Sequence, residues 1–223
     1  MLHELVRREV AETARQMVLR GLARQTSGNV SARADDGLFA VTPTGTDHAR
    51  LTAADIVVLS ADAQVVDGLR APTSEVPMHL SVYREREDVA AIVHTHSDFA
   101  TTFAVLGEEI PAVHYVLGFA GARVRCAPYA TYGTKDLAAN CLPALGGNNA
   151  VLLANHGVLA VGRSLVEALT VAESVEVVAG LYYRARSIGT PQVLSDEEMA
   201  RVMEAFSTYG QPTRGAVATV EGG

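Results

Sequence analysis

The sequence predicts a single α/β domain. Stretches with a helical apolar period alternate along the chain with short β-rich runs, and the 223 residues contain no internal repeat and no linker. A chain of that length buries one substantial core and is short for two. Its 48% hydrophobic and 19% charged residues suit an ordinary water-soluble globular fold.

The elements follow in order. Over residues 2–22 the apolar positions Leu2, Leu5, Val6, Val10, Ala14, Met17 and Val18 keep a helical period, and Gly21 supplies a stop. The small polar loop 26–31 leads into a strand that turns at Asp35-Asp36-Gly37 and returns through residues 38–41 as a hairpin. Residues 42–45, Thr-Pro-Thr-Gly, end it in a turn-prone loop. Residues 56–59 and 64–66 read as strands. A helix is expected over 75–83, capped by Thr73 or Ser74, with Pro77 tolerated in its first turn. Residues 89–96 form a β-rich run, 99–106 a short helix and 124–127 a short strand. A helix over 135–145 ends at Gly146-Gly147, strands 150–154 and 158–161 flank Asn155-His156-Gly157, and a long helix covers 164–186. Ser195-Asp196-Glu197-Glu198 is a capping box that opens a last helix. The domain is expected to occupy residues 1–210, with 211–223 a loose, small and polar tail.

Charge and composition narrow the function classes. A net charge of −7 argues against a general nucleic-acid binder, so an anionic ligand must be held by a local device. Cys126 and Cys141 show no CxxC spacing and are expected to be buried thiols in a reducing compartment. The N-terminus is charged throughout and lacks the apolar core of a secretory signal. No apolar stretch approaches the roughly 20 residues that span a bilayer. A cytoplasmic location is the expectation.

His94-Thr95-His96 ends a strand, and residues i and i+2 of a strand project from one face, so both imidazoles can reach one ion. Asn155-His156-Gly157 follows another apolar strand, and three histidines at strand ends suit an open site of three protein ligands, typical of zinc. The alternative reading of His156 is a turn residue bonded to local backbone. His3 and His48 read as exposed, His114 as structural, and His79 shares a helix face with Glu75. Glu75 stands at a helix start, where a carboxylate either complements the helix dipole or serves as a base or fourth ligand. Three small-residue loops, at Gly28-Asn29, Thr44-Gly45 and Thr73-Ser74, are either plain turns or an anion cradle of backbone N–H groups and hydroxyls. The sole lysine, Lys135, begins a helix and reads as solvated, which argues against Schiff-base chemistry.

Taken in order, the pieces GNVS at Gly28, TPTG at Thr42, TSE at Thr73, HTH at His94, HYVLG at His114, APYATYGT at Ala127 and NHG at Asn155 resemble the class II sugar-phosphate aldolases, and within them the L-fuculose-1-phosphate aldolases most closely. The resemblance runs from the first helix to Thr208-Tyr209-Gly210. It implies a three-layer α/β/α sandwich with a mostly antiparallel central sheet, assembled as a C4 homotetramer with sites at subunit interfaces. It implies zinc on His94, His96 and His156. Glu75 ligates the ion at rest and acts as acid/base, and phosphate is held by Gly28, Asn29, Thr44, Gly45, Thr73 and Ser74. Tyr115 reaches a neighbouring subunit's site as a proton donor, while Tyr132 and Tyr209 wall the pocket. Thr73 stands where the family has serine and keeps the donor; Tyr132 replaces a phenylalanine and adds a polar group.

The activity so implied is reversible cleavage of a ketose 1-phosphate, L-fuculose 1-phosphate or a related deoxy-ketose 1-phosphate, to dihydroxyacetone phosphate and a short aldehyde such as L-lactaldehyde. The same scaffold also carries 5-deoxyribulose- and methylthioribulose-phosphate aldolases, dehydratases, phosphotetronate decarboxylases and 4-epimerases. A non-catalytic sugar-phosphate binder is the reading from another class. It has no use for an acid/base pair.

Overall fold

A computed structural model describes residues 1–207 of the chain. Tyr209 and the tail expected over 211–223 lie outside the described residues.

The first helix, α1 (Glu4–Leu19), buries Val10, Ala14 and Met17, and the chain leaves it through Gly21 at φ 72°. The expected hairpin forms from β1 (Asn29–Arg33) and β2 (Phe39–Val41), followed by β3 (Val57–Leu59) and β4 (Val65–Asp67). Next come α2 (Val76–Glu85), β5 (Ala91–Thr95) and α3 (Asp98–Leu106). Two-residue strands β6 (Ile110–Pro111), β7 (Arg123–Val124) and β8 (Cys126–Ala127) precede α4 (Lys135–Leu145). The remainder is β9 (Ala150–Leu153), β10 (Gly157–Gly162), α5 (Leu165–Ile188) and α6 (Asp196–Ser207).

Eight strands form one sheet in the order β4-β3-β2-β1-β5-β10-β9-β8. Every pairing in it is antiparallel except β8 on β9, so the sheet is mixed rather than purely antiparallel. The strand expected over 124–127 is in fact two. β7 pairs with β6 in a separate small sheet while β8 joins the large one, and exposed Arg125 stands between them.

Alternation along β5 divides the core. Ala91 and Val93 join a cluster with residues of α1, α3 and α5, while Ile92 joins one with residues of α2 and α4. Ile92 and Val93 are both 0% exposed, and full burial of each side chain contributes about 2 kcal/mol. β5 is therefore packed on both faces and paired on both edges, by β1 and by β10. That makes its C-terminal end a rigid mount for whatever side chains follow.

Local signals set the helix ends. Thr134 and Ser164 accept the N–H groups of Leu137 and Glu167 to cap α4 and α5, and Ser195 Oγ accepts from Glu198 at the start of α6. At α2 the sequence expectation shifts by one residue: the helix begins at Val76, Glu75 holds the cap position, and Thr73 Oγ1 accepts the Glu75 N–H at 3.3 Å. The Glu75 side chain makes no capping hydrogen bond. It is left free to point elsewhere.

Candidate active site

His94 lies in the last turn of the β5 pleat, with Asn29 of β1 opposite on one side and Leu159 of β10 on the other. Its ring is fully buried, and Nδ1–H donates to the Val158 carbonyl at 2.8 Å. That bond fixes the tautomer: the proton sits on Nδ1 and the Nε2 lone pair faces the cleft. His96 follows two residues on, and its Nε2 approaches His94 Nε2 to 3.0 Å. His156 enters from the β9–β10 turn and brings its Nε2 to 3.2 Å from the same atom.

Two backbone features make this convergence possible. Asn155 adopts φ 54°, a left-handed conformation that swings His156 across the strand end. A Cβ on Gly157 would stand 2.3 Å from the Thr95 carbonyl oxygen and 2.8 Å from His96 Cδ2. Only glycine lets β10 approach β5 so closely beside the His96 ring.

Glu75, nearly buried, completes the cluster. Its Oε2 lies 3.1 Å from His94 Nε2 and accepts from Asn29 Nδ2 at 2.8 Å, while Oε1 lies 3.5 Å from His156 Nε2. Burial works against its charge, but the adjoining His94 and His156 rings and the Asn29 amide prevail and hold its carboxyl well below the usual range. Burial first, then the neighbouring His94, pushes His96 down to about 3 and His156 to about 4. Burial works against a charge on His94 as well, but the adjoining Glu75 carboxylate and the Val158 carbonyl raise its pKa. Neutral His96 and His156 beside an ionised Glu75 are the protonation states a metal requires, and an ion at this point would take the place of a proton on His94 Nε2.

Three Nε2 atoms aimed at one point, with no hydrogen-bond partner for the buried Glu75 Oε1, fit a divalent cation. His94, His96 and His156 are the group that could hold it. The cleft above is about 290 Å³. The three loops singled out by sequence all line it, through Gly28 and Asn29, Thr44 and Gly45, and Thr73 and Ser74. Backbone bonds from Thr73 N to Thr42 O and from Thr44 N to Ala71 O join two of these loops, and Thr42 Oγ1 accepts from Val30 N to tie in the third. Among the described residues, no lysine or arginine lines the cleft. Lys135 is exposed at the start of α4, as its position suggested.

Tyr132 lines the rim as expected, 66% exposed. Tyr115 does not line this cleft: it lies on a 3-10 turn, 53% exposed and stacked on His114. Tyr129 also lines the rim, and only its place after a strand in an aromatic-bearing loop could have signalled it. The Val158 carbonyl carries no residue-type signal at all. His79 shares the Glu75 face as expected, yet its Nδ1 bonds Ser31 Oγ at 2.7 Å in the core, and burial pushes it down to about 3. His48, expected to be exposed, is 1% exposed because its ring turns inward to Gly28. Cys141 is buried, but Cys126 is only half-buried.

Residues 8–183 match the model of the class II aldolase and adducin N-terminal domain. The chain is 44% identical over 212 residues to a 5-deoxy-D-ribulose 1-phosphate aldolase of Bacillus thuringiensis serovar kurstaki, covering 95% of this chain and 100% of the relative. It is 41% identical over 205 residues to the L-fuculose phosphate aldolase of Escherichia coli strain K12, covering 91% and 94%. A solved L-fuculose 1-phosphate aldolase superposes with a TM-score of 0.88 at 44% identity, covering 91% of this chain and 96% of that one. The chain belongs to the class II aldolase and adducin N-terminal domain family, and it is a class II aldolase.

Proposed function

We propose that this aldolase reversibly cleaves a ketose 1-phosphate to dihydroxyacetone phosphate and a short aldehyde, using one zinc ion held by His94, His96 and His156. The observation that carries the reading is the meeting of three Nε2 atoms and the Glu75 carboxylate beneath a cleft walled by small hydroxyl and glycine loops. A divalent cation bound there supplies Lewis-acid stabilisation of the negative charge that develops on ketose oxygens as the C–C bond breaks.

The rest of the work falls to the chain. Gly28, Asn29, Thr44, Gly45, Thr73 and Ser74 hold the phosphate through neutral donors, consistent with a cleft that no cationic side chain among the described residues lines. Glu75 ligates the ion at rest and carries the proton at its carboxylate during turnover, with Asn29 fixing its orientation. Tyr115, exposed and outside its own cleft, serves a neighbouring subunit's site as proton donor in a C4 tetramer. Tyr132, on the cleft rim, borders the aldehyde end; Tyr209, outside the described residues, is assigned to the pocket by the family resemblance alone. A three-layer sandwich is supported by the two core clusters that share β5. No helix among the described residues is long and apolar enough to cross a membrane; a cytoplasmic location is part of the proposal.

Both 5-deoxyribulose 1-phosphate and L-fuculose 1-phosphate fit, since relatives bearing either name are similar over nearly the whole chain. The test is turnover of each ketose 1-phosphate by the protein as isolated and after chelation. Full activity of a metal-free preparation sinks the zinc reading, and absence of cleavage of every ketose 1-phosphate sinks the substrate reading.

A further inference from the structure

We infer that His48 is the positioning residue of the anion-binding loop at residues 25–28, a role that rests on the phosphate reading of the cleft. The loop is held from its outer side by one residue acting twice. The His48 N–H donates to the Gln25 carbonyl at 3.0 Å, and His48 Nε2–H donates to the Gly28 carbonyl at 2.9 Å. Between these two anchors lie Thr26 and Ser27, which together with Gly28 and Asn29 line the cleft.

On the inner side Gly28 abuts the His94 carbonyl: a Cβ there would stand 2.4 Å from that oxygen, and φ is 75°. The loop is thus pressed between the β5 end and the His48 imidazole. Gln25 is itself left-handed at φ 54°, a conformation that a residue other than glycine holds only with outside support.

His48 is well placed to give that support. Asp47 accepts the Ala49 N–H at 3.1 Å, starting the short 3-10 turn that carries the ring, and the ring is 1% exposed. Because Nε2 donates to a carbonyl, the neutral ring keeps its other nitrogen unprotonated, and Nδ1 has no partner. A fully buried imidazole satisfied at one nitrogen only is poor core material; a leucine or phenylalanine would pack without that cost. Its one side-chain bond goes to the loop that lines the cleft. The His48 ring bonds to the Gly28 carbonyl and not to a ligand imidazole or Glu75, so its influence is on where an anion sits rather than on proton transfer.

The experiment compares wild type with His48→Phe, which keeps the ring volume without the donor, and His48→Gln, whose Nε2 sits the same number of bonds from Cα. Inorganic phosphate binding is measured by calorimetry, hydrogen exchange is followed at residues 25–29, and KM and kcat are measured for the ketose 1-phosphate. His48→Phe is expected to weaken phosphate binding and raise KM by about 10-fold, the loss of one buried hydrogen bond, with faster exchange in the loop and kcat little changed. His48→Gln is expected to recover most of both. Equal phosphate affinity in wild type and a folded His48→Phe overturns the positioning role alone. Failure of wild type to bind phosphate overturns the anion reading itself. If His48→Phe does not fold, the Gln variant decides: wild-type affinity with protected loop amides supports the role, and lost affinity in a folded protein despite the restored donor overturns it.

Discussion

Asn29 Nδ2 donates to Glu75 Oε2 at 2.8 Å, and through this bond the first residue of β1 sets where the carboxylate at the start of α2 stands. The opposite Glu75 oxygen faces His156. Replacing Glu75 by Gln removes the charge and the proton acceptor but little volume. Turnover is expected to fall roughly 10²- to 10⁴-fold, the usual contribution of a general acid/base, while inorganic phosphate still binds. Stopped assays on folded variant together with calorimetric phosphate titration check this. Unchanged kcat removes Glu75 from the chemistry.

Chelation gives a second expectation. Ion binding to the three imidazoles stabilises the folded state by mass action, about 4 kcal/mol at a free metal concentration 1,000 times Kd. A chelated sample is expected to unfold at lower temperature and to regain its Tm when a stoichiometric divalent ion is restored. Replacing His94 by Ala abolishes the metal-dependent part of the shift. Identical melting curves with and without metal sink the ligand set.

Gly157→Ala is expected to destabilise the protein by roughly 2 kcal/mol or more, because the new methyl meets backbone at Thr95 and the His96 ring at distances no relaxed structure holds. Metal affinity should fall with it, since His96 must move. Urea unfolding and chelator competition read the two effects separately. Gly45→Ala is the control: nothing lies within 4 Å of its Cβ, so its cost is confined to the φ of 62°.

Alkaline pH offers a test in the core. Burial pushes the Cys141 thiol from an ordinary 9.0 up to about 12, with the Glu75 charge adding to the shift, and burial raises the Tyr83 phenol as well. A raised folded-state pKa means the native state keeps a proton that the unfolded chain releases. The contribution of Cys141 is thus complete below pH 9 and is lost as pH climbs from about 9 to about 12, at roughly 1.4 kcal/mol per pH unit. Cys141→Ala should flatten that slope in chemical denaturation between pH 9 and 11. An unaltered slope shows that other groups govern the alkaline limb.

Much of this site was legible before any coordinates. The spacing of His94 and His96, the glycine after His156 and the small loops translate directly into strand ends and turns, because strand alternation and glycine conformations are local properties. Long helices such as α5 were equally plain. What escaped was decided by tertiary partners. β6 and β7 are two residues each and exist only by pairing with one another, so no periodicity announces them. His48 read as exposed, and the Gly28 carbonyl 20 positions away accounts for its inward turn. Whether Glu75 capped its helix or faced the histidines depended on β1, 46 positions away at Asn29.

That separation in sequence has a kinetic consequence. His94 and His156 are 62 positions apart, and the strands that carry or support them, β1, β5 and β10, are neighbours in space only after two non-local pairings have closed. Closing such loops is slow relative to forming any one helix. A metal-sensitive signal during refolding is therefore expected to rise with the last phase rather than the first, making the centre a clock for completion of the sheet.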